Sequence, residues 1–331
     1  MRRWIGLALC FCLFLCGCGG PDQDGDVPLL ILRYAENQPE DYPTSEAAKY
    51  FAQLVEERTQ GKICIRLYCN GELGDENQVL EQVQFGGIDM TRVSSGTMAE
   101  FYPDFEVLQL PFLYDDAEHM WRVLDGPVGE EFLADTGQAG VIGLSWFDAG
   151  ARSFYTREPV RDLDDLRGLS IRVQESEFMS RMVELLGARA VQIPYSDVYS
   201  ALQTGKIDGA ENNWPSYAFT GHFQAAGYYL LDEHSRLPEM QIMSAVAMDK
   251  ITEIDESYAD IIRECARECA RYERELWVEE EIDSEKLVRD YGCVVTTPTQ
   301  AQLEEFRRAV QPMYEAYPEN IQALIRQIQD S

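Results

Sequence analysis

The chain has 331 residues, which suits one large domain or two of ordinary size, and 45% of them are hydrophobic, as in a globular protein. It carries 58 Asp and Glu residues against 28 Lys and Arg, a formal net charge of −30 that argues against nucleic acid or anionic lipid headgroups as partners. Any anionic ligand must therefore be held by a few local cations.

The first 18 residues have the features of a bacterial lipoprotein signal peptide. Two arginines precede an apolar run, residues 4–16, which is too short to cross a bilayer as a helix. The run leads into LCGC, which resembles a lipoprotein cleavage box and predicts a lipid on Cys18; an ordinary signal peptide cut nearby is the alternative. Residues 19–27, rich in Gly and Asp, predict a flexible tether. No later segment is apolar enough to span, so we expect contact with the membrane only through the lipid anchor.

The remaining cysteines do not predict a metal site. Cys265 and Cys269 are four residues apart in a predicted helix and share one face, but none of the three histidines lies near them in sequence. We expect structural or free thiols, and no metal or other cofactor. An odd number of cysteines cannot all pair, so the pairing stays open. The five cysteines concerned are Cys64, Cys69, Cys265, Cys269 and Cys293.

The first part of the chain predicts a β-α-β unit. An apolar strand at 29–34 precedes a helix that Thr44 or Ser45 would cap, and residues 62–68 alternate as a second strand. After Gly126 a further helix leads to a strand at 141–147. This order favours a parallel sheet with right-handed crossovers.

Two segments resemble each other across the chain, VLEQVQFGGIDM at 79–90 and VYSALQTGKIDG at 198–209. Each predicts an amphipathic helix that ends at a Gly in the left-handed conformation, followed by a short strand that opens with Ile-Asp. The segments are 119 residues apart (198 minus 79), which favours two similar α/β halves. Without a Pro-rich linker between them, we expect several chain crossings, as in a hinged two-lobed protein.

Arg172 is the first candidate for binding an anion. In LSIRV the apolar side chains of Leu169, Ile171 and Val173 share one face, so Arg172 points to the other face. It lies near the carboxyl end of its strand, where ligands bind in open parallel sheets. Its planar guanidinium fits a carboxylate through two hydrogen bonds. A salt bridge to one of the many acidic residues is the alternative.

Further polar and aromatic residues are candidates for ligand contact. Arg152 lies at the end of the predicted apolar strand WFDAGARSFY and is a second cation with the same alternative. The amides of Asn212 and Asn213 suit hydroxyl or carboxylate recognition, although turn chemistry would also explain them. Trp214 could stack on a sugar or pack in the core. Glu36 could accept hydroxyl hydrogen bonds or stay solvated.

The ordered run from PVRDLDDLRGLSIRVQES to VYSALQTGKIDGAENNWPSY resembles the extracytoplasmic solute-binding proteins of TRAP transporters, the DctP-like family. The resemblance extends from about residue 29 to the C-terminal helices and includes FYPDFEVLQLPFLY. It implies that Arg172 makes the principal salt bridge to a ligand carboxylate. Arg152, Asn212 and Tyr195 match three further binding positions. It also implies separate membrane permease subunits, to which the protein delivers its ligand.

Within that family, GARSFYT, RVQES, GAENNWPSY and LDEHSRLPEM resemble the branch that binds hexuronates such as glucuronate and galacturonate. This resemblance implies contact with the hydroxyl groups of the ligand by Glu36, Arg92, Gln174, Glu175 and Trp214. The expected function is capture of a sugar acid outside the cytoplasm, without catalysis. Two alternatives stay open: a secreted glycosidase or lyase, although common hydrolase and phosphate-loop signatures are missing, and ligand presentation to a sensor kinase.

The expected fold class is therefore α/β, a periplasmic-binding-protein-like fold with the ligand cleft between two α/β lobes joined by hinge strands and a long helix from about Asp255. Lobe 1 is predicted to contain residues 28–150 plus about 237–275. Lobe 2 is predicted to contain residues 151–236 plus about 276–331.

Overall fold

The computed structural model of the protein describes residues 27–331. The predicted signal peptide, the lipidation site Cys18 and all but the last residue of the predicted tether lie outside this part of the chain. The described residues form two β-sheets with helices packed around them, which confirms the predicted α/β class.

The elements follow one another in chain order. The first half contains β1 (Leu30–Ala35), α1 (Pro43–Arg58), β2 (Ile63–Tyr68), α2 (Glu76–Gln84), β3 (Met90–Ser94), α3 (Ser95–Phe101), α4 (Ala117–Leu124), α5 (Pro127–Asp135) and β4 (Val141–Phe147). The chain continues through β5 (Ala151–Thr156), α6 (Leu163–Leu166), β6 (Ser170–Val173), α7 (Glu177–Leu185), β7 (Arg189–Gln192), α8 (Val198–Thr204), β8 (Gly209–Asn212), α9 (Trp214–Phe219) and β9 (Tyr228–Arg236). It ends with β10 (Glu239–Ser244), α10 (Ala245–Ile254), α11 (Ser257–Tyr291), β11 (Val294–Thr296), α12 (Gln300–Glu315) and α13 (Glu319–Gln329).

The two sheets share one arrangement of five strands, to which the second sheet adds β11 beside β9. The first has the order β2-β1-β3-β10-β4 and the second has the order β11-β9-β5-β8-β6-β7. The predicted parallel pairing is confirmed for β2-β1-β3, and β7-β6-β8 are parallel in the same way. Two antiparallel pairings follow in each sheet, so each sheet as a whole is mixed. The reason is that β5 and β10 enter their sheets directly from a strand of the other sheet, without the helical crossover that keeps neighbouring strands parallel.

The repeated segments form equivalent helix ends. Both α2 and α8 are followed by a glycine in the left-handed region, Gly86 with φ +73° and Gly205 with φ +71°. A residue with a β-carbon adopts this conformation only at a cost, which is why glycine is favoured there. The predicted glycine stops are confirmed in both halves.

The Ile-Asp pair precedes the strand in each half, where we expected it to open the strand. The Asp89 carboxylate accepts a hydrogen bond from the backbone N–H of Arg33 in β1, at 2.8 Å. The Asp208 carboxylate accepts one from the backbone N–H of Ser170 in β6, also at 2.8 Å. Each aspartate carboxylate therefore connects the start of one parallel strand to its neighbour, where a backbone hydrogen bond between the strands would otherwise lie.

The chain crosses between the sheets at 148–150, from β4 to β5, and at 237–238, from β9 to β10. Gly150 adopts φ +59° in the first crossing. The long helix α11 packs against both α1 and α9, so it bridges the two units. Its Trp277 contacts Tyr42 with ring centroids 5.8 Å apart, beside the crossing.

Two local predictions are wrong. Helix α1 begins at Pro43 with Tyr42 as its N-cap, and neither Thr44 nor Ser45 caps it, because a proline with fixed φ and no N–H suits the first helical position. The segment WFDAGARSFY is two strands in different sheets, since the left-handed Gly150 turns the chain between them. Arg152 therefore lies at the start of β5.

Cys265 and Cys269 share one face of α11, as predicted, and the structure buries both where this face packs on the first sheet. In residues 27–331 all five cysteines are free thiols. None of the helices in residues 27–331 has the length and apolar character required to cross a membrane.

Candidate functional site

A cavity of about 600 Å³ lies between the two sheets, a volume that suits a small-molecule ligand. Strand ends and loops of both units line it. Eight of the ten predicted site residues line this cavity: Arg92, Arg152, Arg172, Gln174, Glu175, Tyr195, Asn212 and Asn213.

Arg172 is 3% exposed and its guanidinium faces the cavity. Its Nε donates to the backbone carbonyl of Ile193 at 2.9 Å. Within residues 27–331 it forms no salt bridge, so the predicted alternative of an ion pair with a neighbouring acid does not hold. Burial lowers the pKa of this arginine, because desolvation disfavours the charged form.

Polar groups near Arg172 also lack partners. The Tyr195 hydroxyl and the Gln174 Nε2 are buried and have no hydrogen-bond partner in the described part of the chain. His222 also lines the cavity, and its Nδ1 lies 2.8 Å from the Tyr155 hydroxyl. Burial and the nearby Arg172 lower the pKa of His222 to about 3, so the ring is neutral at neutral pH. Unpaired buried polar groups are costly unless a ligand or water satisfies them.

Arg152, in contrast, belongs to a fully buried chain of ion pairs, here called the ion-pair chain, made of Arg152, Glu211, His234 and Asp232. Arg152 Nη2 donates to Glu211 Oε1 at 2.8 Å, and His234 Nδ1 lies 2.8 Å from Asp232 Oδ2. Burial opposes ionisation of Glu211, but Arg152 and His234 outweigh it and lower the carboxyl pKa to about 2. Asp232 and Glu211 likewise overcome the effect of burial on His234 and raise its pKa to about 9. The guanidinium of Arg152 is therefore already neutralised.

The two asparagines differ in their roles. Asn212 Oδ1 accepts from Arg152 Nη1 at 2.8 Å, while its Nδ2 donates to no group in residues 27–331. Asn213 is the N-cap of α9, where Oδ1 accepts from the backbone N–H of Ser216 at 2.8 Å. Its Nδ2 donates to the carbonyl of Ala149 in the first crossing. Turn chemistry thus accounts for Asn213, and Asn212 keeps a donor beside the cavity.

On the opposite side, Arg92 lies among three carboxylates, here called the acidic cluster: Glu36, Glu76 and Glu239. Arg92 Nη1 donates to Glu76 at 2.8 Å and to Glu239 at 3.2 Å, and its Nε donates to Glu36 at 3.3 Å. Arg92 is 3% exposed. Burial, with Glu76 and Glu36 adding to it, raises the pKa of Glu239 to about 8 although Arg92 opposes the shift.

Two predicted residues lie behind the surface of the cavity. The Glu36 carboxylate is occupied by Arg92, by the Thr44 hydroxyl at 3.0 Å and by the backbone N–H of Gln38 at 3.1 Å. Trp214 stacks on Tyr229 with ring centroids 3.8 Å apart and packs in the core. Neither residue is among those that line the cavity, and direct contact of either with a ligand stays a prediction.

Sequence reasoning missed other residues that line the cavity, including Asn37, Asn77, Ser196, His222 and Glu239. Glu239 lies within LDEHSRLPEM, one of the segments that resemble the hexuronate-binding branch, but that resemblance assigned it no role. His222 and Glu239 each follow a turn whose position depends on which strands pair, so only the folded chain brings them to the cavity.

A buried polar cavity between two α/β units, joined by crossing strands and a bridging helix, defines a solute-binding protein of the two-lobed periplasmic class. Residues 34–320 match the family described as bacterial extracellular solute-binding protein, family 7. The chain belongs to this family.

Solved structures and curated relatives agree with that assignment. A TRAP periplasmic solute-binding protein from Xanthobacter autotrophicus, solved with bound β-D-galacturonate, is 41% identical with a TM-score of 0.86, over 91% of this chain and 99% of that chain. One from Chromohalobacter salexigens, with bound D-glucuronate, is 35% identical with a TM-score of 0.86, over 90% of this chain and 99% of that chain. A curated solute-binding protein of Chromohalobacter salexigens is 35% identical over 297 residues, 88% of this chain and 87% of its own length.

The protein is thus the extracytoplasmic solute-binding component of a TRAP transporter, whose partners are a small-molecule ligand and the membrane permease. It is a binding protein and not an enzyme, so the glycosidase or lyase alternative is set aside.

Proposed function

We propose that the protein captures a hexuronate, D-galacturonate or D-glucuronate, and that Arg172 holds its carboxylate. One observation carries the proposal: Arg172 is a buried cation that faces the cavity and has no anionic partner in residues 27–331. A buried charge is strongly unfavourable unless it is paired, and a ligand carboxylate would supply that pair.

The remaining surface of the cavity suits the rest of a sugar acid. Tyr195, Gln174, Asn212 and His222 offer donors and acceptors that neighbouring residues do not fully use. A ring with several hydroxyl groups would engage them at once. The hexuronates bound by the solved relatives match this chemistry, since each has one carboxylate and several hydroxyl groups.

Isothermal calorimetry with D-galacturonate and D-glucuronate tests the proposal. Arg172→Ala should weaken binding at least tenfold, about 1.4 kcal/mol, and Arg172→Lys should also lose much of the affinity because a lysine cannot form the two-pronged contact. Arg167→Ala is the matched control, since this arginine of the same unit is exposed and pairs only with the exposed Asp164. Unchanged hexuronate affinity in Arg172→Ala would overturn the proposed role.

We also propose that the ligand closes two lobes with the boundaries predicted above. The membership of the strands supports this division, because β1 to β4 and β10 form one sheet while β5 to β9 and β11 form the other. Small-angle scattering should show a smaller radius of gyration with hexuronate. An unchanged radius in the ligand-saturated protein would contradict closure.

Finally, we propose that Cys18 is lipidated and anchors the protein outside the cytoplasm. The LCGC sequence supports this, and Cys18 lies outside the described residues. Mass spectrometry of the mature N-terminus should find a lipid-modified cysteine at position 18. A soluble mature protein with an unmodified N-terminus would show that an ordinary signal peptidase cuts the chain.

A further inference from the structure

The acidic cluster makes the charge on the two sides of the cavity unequal. Around Arg92 lie three carboxylates, two of which fully occupy their oxygens inside the protein. Glu36 is held by Arg92, Thr44 and Gln38, as described above. Glu76 accepts from Arg92, from the backbone N–H of Ser94 at 3.0 Å and from the Thr97 hydroxyl at 2.6 Å.

Glu239 differs from these two carboxylates. Its Oε1 accepts a single hydrogen bond, from Arg92 Nη1 at 3.2 Å, and its Oε2 has no partner in residues 27–331. The side chain is 14% exposed and lines the cavity, at the first residue of β10 directly after the second crossing. Its free oxygen is therefore available to a ligand in the cavity, close to the second crossing between the two units.

A second carboxylate on the ligand would meet an unfavourable field on this side of the cavity. One arginine already serves Glu36, Glu76 and Glu239, so the buried charge there is negative before any ligand enters. Glu239 carries a proton more readily than an ordinary glutamate, yet Glu36 and Glu76 still outnumber Arg92 when it does. Across the cavity Arg152 is neutralised by Glu211, which leaves Arg172 as the cation for one carboxylate.

We propose that Glu239 is a specificity-determining residue that accepts a ligand hydroxyl and, with Glu36 and Glu76, excludes diacids, so that the site takes sugar monocarboxylates only. This proposal rests on the proposed function, because it assumes that the ligand carboxylate lies at Arg172. Like charges held close together in a site shielded from water repel strongly, whereas a hydroxyl donates to the same oxygen. The groups that act on Glu239 are Arg92, Glu76, Glu36 and Arg152.

The test compares D-galacturonate with galactarate, a six-carbon diacid, by calorimetry in the purified full mature protein. Wild type should bind galactarate at least 100-fold more weakly. Selectivity is the dissociation constant for galactarate divided by that for D-galacturonate. In Glu239→Gln, which keeps the shape of the side chain and removes its charge, this ratio should fall at least tenfold at pH 9, where the glutamate of wild type is ionised. It should fall less at pH 6, where the glutamate holds its proton.

Glu81→Gln is the matched control, because Glu81 lies on α2 at the exposed surface of the same unit and loses the same formal charge. Its selectivity should equal that of wild type. The proposal is overturned if wild type binds galactarate as tightly as galacturonate. It is also overturned if the selectivity of Glu239→Gln at pH 9 is within threefold of the wild-type selectivity.

The outcomes separate this proposal from the proposed function. If neither hexuronate binds, the hexuronate assignment fails, and the comparison is made between galactonate and galactarate, two linear acids that differ only in a terminal hydroxymethyl or carboxylate group. If wild type prefers galactonate and Glu239→Gln reduces this preference, the exclusion of diacids is supported independently of the hexuronate assignment. Equal binding of the pair, or binding of neither, overturns it.

Discussion

The two halves of the molecule repeat one backbone arrangement but carry opposite charges at equivalent positions. Arg92 in β3 and Glu211 in β8 are separated by 119 residues (211 minus 92), the same interval that relates the repeated segments. β3 ends at Ser94, the N-cap of α3, and β8 is followed directly by Asn213, the N-cap of α9. The same frame thus holds a cation on one side and an anion on the other.

The residues that pair with Arg92 and Glu211 also have opposite charges in the two halves. In the first half Glu239 in β10 lies opposite Ser94 and pairs with Arg92. In the second half Arg152, the residue before Ser153 in β5, pairs with Glu211; Ser153 itself lies opposite Asn212. The first half gathers three acids around one base. The second balances Arg152 internally and leaves Arg172 for a ligand. Topology therefore sets where charges can lie, and side-chain identity decides what each side binds.

The largest expected effect comes from breaking the ion-pair chain. Glu211→Gln would leave Arg152 fully buried without its counter-charge, which should lower the free energy of unfolding by about 3–5 kcal/mol. Urea denaturation measures it. Glu184→Gln, on the exposed side of α7, is the control and should change stability little. A loss below about 1 kcal/mol in Glu211→Gln would mean that Arg152 finds another partner.

The acidic cluster should show itself in the pH dependence of stability. Because the pKa of Glu239 is raised to about 8 in the folded protein, the folded state binds more protons than the unfolded state between about pH 4.5 and 8. This glutamate therefore contributes stability at low pH that is lost as the pH rises through 8, by an amount on the order of a few kcal/mol.

Urea titrations of wild type and Glu239→Gln across this range isolate that contribution. The variant should lose less stability with rising pH than wild type, and the difference between the two slopes reports Glu239 alone. Parallel curves would show that Glu239 titrates normally.

The paired aspartates test whether the halves are equivalent. Asp89→Ala and Asp208→Ala each remove the acceptor of a backbone N–H, at Arg33 and at Ser170, and each should cost about 1–3 kcal/mol in unfolding experiments. Only Asp208→Ala should also weaken hexuronate binding, because it loosens β6, the strand that carries Arg172. Equal loss of affinity in both variants would show that the halves do not act separately on the site.

The smallest effect concerns a contact between the halves. Gly96 in α3 lets Gln174 of the other unit approach, and a β-carbon there would lie 1.8 Å from its Nε2. Gly96→Ala should displace this flexible amide and weaken hexuronate binding by a few fold, below about 1.4 kcal/mol, while stability changes little. Gly137→Ala serves as the control, because a β-carbon there would meet no atom within 4 Å. Unaltered calorimetric affinity in Gly96→Ala would remove Gln174 from the site.

The sequence predicted the backbone repeat well because its signals are local. The glycine stops at Gly86 and Gly205 and the alternation in LSIRV depend on neighbours within a few residues, and the structure has both. The sheet to which β5 belongs was not predictable in this way, since no signal within WFDAGARSFY shows that its two halves pair with different strands. Its division at Gly150 follows from a long-range choice of strand partners.

The amino-acid sequence by itself determined the class of fold, the family and the candidate cations, because periodicity, turn glycines and an ordered motif are written along the chain. Only the tertiary structure decided that Arg152 is neutralised while Arg172 is not, and that Glu239 lies beside Arg92. The physical reason is that pairing and burial of a charge depend on groups brought together across the two sheets, 59 residues apart for Arg152 and Glu211 and 147 apart for Arg92 and Glu239.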